Sequence, residues 1–188
     1  IIGDVSGKGT SAAFHMSQMK GVFHGLAQLD LSPEEFMIRA NKAINSSLDK
    51  TSFITISYFV LDQTNKEVKF ARAGHCPTLF YEQKKKQASY FTNKGLGLGI
   101  VRNDSFSSYV QPRQFNYASG DVLILYTDGI TEAKNDNNKF PMIWFLNKAF
   151  PMNLILDTLK TKTFFFVLFY KALVLLIVLQ VTNYILHT

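Results

Sequence analysis

Apolar residues recur along the first part of the chain with two different periods. Ala12, Met16, Met19, Phe23 and Leu26 stand three to four apart, which predicts an amphipathic helix from Ser11 to about Gln28 with these five on its inner face. A second helix is announced by Ser32 as N-cap, Pro33 at the first helical position and Glu35 completing a capping box. Phe36, Ala40, Ala43 or Ile44, and Leu48 give it an inward face. From Phe53 the period changes to that of strands. FITISYFVLD and EVKFARAG, separated by the turn TNKE, read as a hairpin with apolar residues on both faces, the pattern of a strand covered on both sides. PTLFYE and ASYFT read as a second hairpin, GLGLG as a flexible crossing, and a strand is expected near Ser107–Pro112. Val122 to Tyr126 forms a further apolar strand that delivers Thr127-Asp128-Gly129 at its end, as Ile1 and Ile2 deliver the loop Gly3–Thr10. Two helices followed by an antiparallel meander make an α+β arrangement, with sheet-on-sheet core and helices outside as its natural solution.

Composition divides the chain near residue 140. Thirteen acidic residues lie up to Asp136, and the remaining 52 positions hold Asp157 alone. The segment from Phe164 to Leu186 is long enough to cross a bilayer, with Lys171 as its one formal charge. Three readings of residues 141–188 stand side by side: a transmembrane or membrane-seated helix, a buried apolar end of the domain, and a reading-frame artefact. Within this tail VLLIVLQV (174–181) resembles a strand, with no acidic pair before it. The net charge of +6 is scattered, and its one run, Lys84-Lys85-Lys86, falls at a hairpin tip, where it reads as a solvated turn; no nucleic-acid partner is expected. Cys76 is the single cysteine, which excludes an internal disulfide and a thiolate zinc site and suits a cytoplasmic domain. The chain opens on an apolar strand without an initiator Met and reads as cut from something longer.

The stretch IIGDVSGKGTS invites a nucleotide-binding reading, which its spacing defeats. A P-loop needs four residues between its glycines and a Lys directly before Ser or Thr; here three residues separate Gly3 from Gly7, and Gly9 stands between Lys8 and Thr10. A dinucleotide fingerprint fails as well. The carboxylate of Asp4 would repel a phosphate unless a cation stood between them. An acidic residue ending a buried strand, followed by glycines that let the backbone come close, suits a hard divalent ion, and Asp128 repeats the design. Taken singly, an Asp-Gly after a strand, as at Asp128-Gly129, is a turn more often than a ligand.

GDVSGKG with its following helix, SPEEF, FITISYFVLD, ARAGHCP, GLGLGI and SGDVLILYTDGITEA occur in an order that resembles the bacterial SpoIIE-type protein phosphatases, relatives of the PPM (protein phosphatase 2C) superfamily. The resemblance covers about residues 1–140. It implies an αββα sandwich of antiparallel sheets with flanking helices, incomplete at both ends. It also implies a metal-dependent serine/threonine phosphatase using two Mn²⁺ or Mg²⁺ ions. Carried over residue by residue, Asp4, the Val5 carbonyl and Asp128 are the metal ligands, and Asp4 and Asp128 the catalytic residues. The implied substrate is a phosphoserine on an anti-sigma-factor antagonist type of regulatory protein. An upstream sensor module, absent from this chain, would press on the two helices of Ser11–Leu48. In AGHCP, His75 beside Cys76 has a turn-stabilising role as its plainer reading. His15 and His24, nine apart on the first helix, have the wrong spacing for a shared ligand face and read as surface or satisfied core residues.

Two further acidic motifs of the family, one before GDVSGKG and an Asp-Asp on the final strand, have no counterpart here. The expectation is a truncated phosphatase domain with an impaired metal site and little or no activity. The competing reading is a catalytically dead, membrane-anchored interaction module held through residues 164–186.

Overall fold

The computed structural model describes residues 1–131 and 176–180. They form two compact units: Ile1–His75 with Thr92–Tyr117, and Cys76–Phe91 with the described part of Ala118–Thr188.

In the first unit β1 (Ile2–Val5), β2 (Ile54–Asp62), β3 (Glu67–Ala73) and β6 (Arg113–Asn116) make an antiparallel sheet in the order β1-β2-β3-β6. Helices α1 (Gly9–Leu26) and α2 (Pro33–Ile44) lie between β1 and β2 in sequence. Ser32 begins α2 as predicted. Its backbone N–H donates to the Glu35 carboxylate at 3.1 Å, and its hydroxyl accepts from the Glu35 N–H at 3.2 Å. The Ser32 N–H, joined by the Ser32 hydroxyl donating to the same carboxylate oxygen at 2.9 Å, holds the Glu35 carboxyl below its usual value, so the stability these two bonds add is present at neutral pH and lost as the pH falls through that lowered value. Phe36, Met37, Ala40 and Ile44 are buried against Ile54, Ile56, Ala71, Ala73 and Leu98 in one apolar cluster. Phe36 stacks on Tyr58 with ring centroids 3.9 Å apart. Burying side chains of this size removes about 1.5 to 3 kcal/mol each of unfavourable apolar hydration. The unit is held by that cluster, with strand pairing as its frame.

Both faces of β2 are buried over its first half, at Ile54 and Ile56 on one side and Ser57 and Phe59 on the other. The TNKE turn follows from Asp62, whose Oδ1 accepts from the N–H groups of Thr64 and Asn65, each at 2.9 Å. Such a side-chain mimic of a backbone turn is why Asp leads this sequence.

The second unit carries β4 (Thr78–Glu82), β5 (Gln87–Phe91), β7 (Val122–Tyr126) and β8 (Leu176–Gln180) in an antiparallel sheet ordered β5-β4-β7-β8. Every residue of β7 is buried, which accounts for its unbroken apolar run. Asp121, 3 % exposed, precedes it and ties the sheet's turns together by accepting from the N–H groups of Gln83 and Ala118. Lys84, Lys85 and Lys86 are exposed at the β4–β5 tip, with Lys85 paired to Glu82 at 2.9 Å. The α+β class is therefore as expected, and the strand read in residues 174–181 is present as β8.

Three expectations are corrected or limited. Met16 is 46 % exposed, and His15 takes the inward place with Met19. The imidazole is accommodated there by Gln18 Oε1 at 3.2 Å from Nδ1, with Ser11 Oγ and Asp49 Oδ2 on the Nε2 side. The segment at Asp104–Tyr109 is a 3₁₀ helix and the strand comes later, at β6. Local hydrogen bonds decide that: Asn103 caps Ser105, and the Ser107 and Ser108 hydroxyls donate to the carbonyls of Asp104 and Ser105. Of the membrane-spanning reading of residues 164–186, five residues are the strand β8. The rest of that reading, and the reading-frame one, lie outside the described residues. No helix among the described residues is long and apolar enough to cross a membrane.

Asn41, 3 % exposed on α2, accepts from the Gly99 N–H and donates to the Val101 carbonyl, both at 2.9 Å. Asn41→Ala leaves the buried Gly99 N–H and the part-buried Val101 carbonyl unpaired, and a loss of about 2 kcal/mol is expected in urea unfolding with an unchanged m-value.

Candidate metal-dependent active site

Asp4 is the third residue of β1, opposite Thr55 of β2. Ile2 and Val5 are buried, so the strand is anchored on both sides of an exposed Asp4. Gly3 makes this pairing close: a Cβ there would stand 2.5 Å from the Thr55 carbonyl and 2.6 Å from Ile56 Cγ2. Any larger residue would push β1 off β2 and carry Asp4 with it.

Beyond Val5 the chain is held at once. The Ser6 N–H donates to the Phe53 carbonyl at 3.0 Å, and the Phe53 N–H donates to Ser6 Oγ at 2.8 Å. The loop then runs into α1, whose first residue is Gly9.

Two other motif turns meet the same strands. The Thr55 hydroxyl lies 3.4 Å from the Asp4 carbonyl and 3.1 Å from His75 Nδ1, with His75 4 % exposed. Gly74 bridges to Ile56, and Leu98 of the GLGLG segment exchanges two backbone hydrogen bonds with Ile54, at 3.0 and 2.7 Å. Arg72 donates from its two terminal nitrogens to the carbonyls of His75 and Asn93. Thus GDVSGKG, FITISYFVLD, AGHCP and GLGLG, far apart in the chain, converge on one edge of the first sheet. His75 serves this turn through Thr55, in line with its plainer reading. Thr55 and Arg72 were not singled out from the sequence. The one signal for Thr55 was a polar residue inside an apolar strand, and for Arg72 a cation directly before AGHCP.

Asp128 stands in the second unit, exposed, at the start of the short helix α3 (Asp128–Thr131) directly after β7 and Thr127. Its strand is anchored by burial as firmly as β1. Asp4 and Asp128 therefore share a design: a carboxylate put out at the end or edge of a strand that cannot shift. Hard, exposed carboxylate oxygens of this kind fit a divalent cation such as Mg²⁺ or Mn²⁺ in donor type. Among the described residues no group of three or more His, Cys, Asp or Glu side chains is gathered into a metal cage.

Gly74 has φ of +70° and a Cβ there would come within 2.9 Å of the Gly97 backbone nitrogen. Gly74→Ala is expected to cost about 1 to 2 kcal/mol in thermal or urea unfolding, from left-handed backbone strain and collision with a neighbouring main chain.

Comparison with known proteins bears on the family and the fold. The family model described as Stage II sporulation protein E (SpoIIE) matches residues 1–161. The phosphoserine phosphatase RsbU of Bacillus subtilis (strain 168) is 31 % identical over 136 residues, covering 72 % of this chain and 39 % of that protein. The chain spans less than two fifths of the length of the curated relatives it matches. Among solved structures, the PP2C phosphatase domain with a fragment of the regulatory domain of SpoIIE from Bacillus subtilis is similar with a TM-score of 0.58. It is 19 % identical, and the match covers 94 % of this chain and 52 % of that one. RsbX in complex with magnesium has a TM-score of 0.56 at 18 % identity, covering 86 % of this chain and 71 % of its own. These structural likenesses establish the fold, a PP2C-like α+β architecture. With the family matched over most of its residues, the chain belongs to the SpoIIE family of PPM-type phosphatases.

Proposed function

We propose that this chain is the catalytic part of a metal-dependent phosphoserine phosphatase acting on a phosphorylated regulatory protein. The observation that carries the reading is the placement of Asp4: exposed, two residues before a loop stapled to Phe53, on a strand that Gly3 lets approach β2 closely. The match to the phosphoserine phosphatase RsbU supports the reaction, and RsbX in complex with magnesium supports the choice of ion.

In this reading Asp4, the Val5 carbonyl and Asp128 hold Mn²⁺ or Mg²⁺. Such ions, when bound, would activate a water for in-line attack on phosphorus and neutralise charge on the phosphoryl oxygens. The chain's own residues do the rest. Pairing with Thr55 holds the Asp4 backbone still, and the buried flanks Ile2 and Val5 keep its carboxylate pointing to solvent. Thr55 and His75 brace the carbonyl side of the same residue, so that little reorganisation is left for the moment of reaction. No nucleophilic side chain is required.

Asp4 and Asp128 are two of about four acidic positions in the family pattern, and affinity in such sites depends on pooled carboxylate charge. Turnover by these residues alone is accordingly slow. An upstream sensor and the identity of the phosphoprotein belong to the same proposal; the relative RsbU extends well beyond the part that this chain matches.

Single-turnover hydrolysis of a phosphoserine peptide by excess chain tests the reading. Slow phosphate release that requires Mn²⁺ and falls by about 100-fold or more in Asp4→Ala is expected, as for removal of a metal-holding carboxylate. Release that survives both EDTA and Asp4→Ala would refute it.

A further inference from the structure

Beside the Ser6–Phe53 staple the first unit opens a cavity of about 610 Å³, lined by Lys50, Thr51, Ser52, Phe53, Gly99, Ile100 and Arg102. It holds two cations, two hydroxyls and no carboxylate. Arg102 is fixed by the fold: Nε donates to the Gly99 carbonyl at 2.9 Å, Nη1 to Leu48 at 3.2 Å, and Nη2 to Asp49. A guanidinium has five N–H donors. Three are used among the described residues, which leaves two on a group that is already ordered, so little side-chain entropy remains to be lost on meeting an anion.

Lys50 is exposed and makes no ion pair or hydrogen bond among the described residues. The nearby carboxylate of Asp49 is turned to Ser11 and His15, at 3.5 Å from each. Phe53 and Ile100, 37 % and 50 % exposed, give the cavity an apolar wall. Cations with hydroxyls and a half-exposed apolar wall suit a peptide segment that carries carboxylates beside an apolar residue.

Position names the occupant. Ser6 is two residues past Asp4, about 7 Å along an extended strand, and Phe53 is hydrogen-bonded directly to Ser6. An extended peptide advances about 3.3 Å per residue, so a segment with its phosphoserine at Asp4 would bring residues two to four positions away to this cavity.

We infer that the Lys50–Arg102 cavity is a specificity subsite that receives acidic side chains flanking the phosphoserine of the protein substrate. The inference rests on the phosphatase reading for its orientation. It adds a substrate preference that the metal ligands do not provide: acidic residues near the phosphoserine raise affinity, and basic ones lower it.

Fluorescence anisotropy of labelled peptides that carry a non-hydrolysable phosphonate in place of the phosphoserine phosphate tests it on the full chain, in the presence of Mn²⁺, so that the anchor at Asp4 is kept and no turnover intervenes. The peptides differ in one block of three residues after the phosphoserine: glutamates, glutamines or lysines. The glutamate peptide is expected to bind about fivefold more tightly than the glutamine one at low salt, with the gap closing as salt is added. Lys50→Glu abolishes that preference. Lys20→Glu, the same charge change at an exposed position on α1, leaves it in place. Equal binding of the glutamate and glutamine peptides overturns the inference, and so does a preference that persists in Lys50→Glu or is lost equally in Lys20→Glu. Hydrolysis of p-nitrophenyl phosphate, which has no flanking residues, reports the phosphatase reading separately. A Lys50-dependent preference in a chain that fails this hydrolysis supports the subsite and counts against the chemistry. Hydrolysis without any preference does the reverse.

Discussion

The close pairing of β1 with β2 is the constraint on which the rest depends. Gly3 has no Cβ, so the backbone of β1 can lie against Thr55 and Ile56 where any side chain would collide. That register puts Asp4 opposite Thr55, and from Thr55 the contacts spread to His75 and, through neighbouring positions of β2, to Gly74 and Leu98. Four separated stretches of sequence become one edge because a single strand pair is close enough to serve them all. A carboxylate placed there inherits the rigidity of the apolar cluster beneath, since Val5, Ile54 and Ile56 belong to it.

Around this edge the turns are held by polar side chains reaching backbone carbonyls and, at Gly99, a backbone N–H. Asn41 satisfies Gly99 and Val101, Arg72 satisfies His75 and Asn93, and Arg102 satisfies Leu48, Asp49 and Gly99. Loops over a sheet edge otherwise leave main-chain groups unpaired, each costing about 1 to 3 kcal/mol when buried. Asn41 links α2 directly to the 99–101 turn. Movement of α2 would therefore be felt there and, through the Leu98–Ile54 hydrogen bonds, at the start of β2.

Much of this was legible in the residues. The capping box placed α2 because its signal is local: Ser32, Pro33 and Glu35 act on one another within a turn. The β2–β3 hairpin and β7 were legible from long apolar runs bounded by turn residues. Reading failed where the deciding partners are distant or where two local signals compete. Met16 fitted an inward stripe by spacing, but His15 is the residue that points inward, near Asp49 thirty-four positions away. SSY near residue 108 looked extended, yet serine hydroxyls bonding back to nearby carbonyls wound it into a 3₁₀ turn. At the site, Asp4 and Asp128 were legible as strand-end carboxylates, whereas Thr55, Arg72 and Arg102 act through hydrogen bonds to carbonyls that no spacing rule announces.

In the proposed function these two carboxylates share one purpose, and the local design of each strand end suits it. The central claim is that Asp4 and Asp128 hold the catalytic ions. Calorimetric titration of the chain with Mn²⁺ tests this most directly. The account predicts weak binding, with a dissociation constant of order 10⁻⁴ to 10⁻³ M expected from so few carboxylates, further weakened in Asp4→Asn and again in Asp128→Asn. Mn²⁺ binding of unchanged affinity in both variants would contradict it.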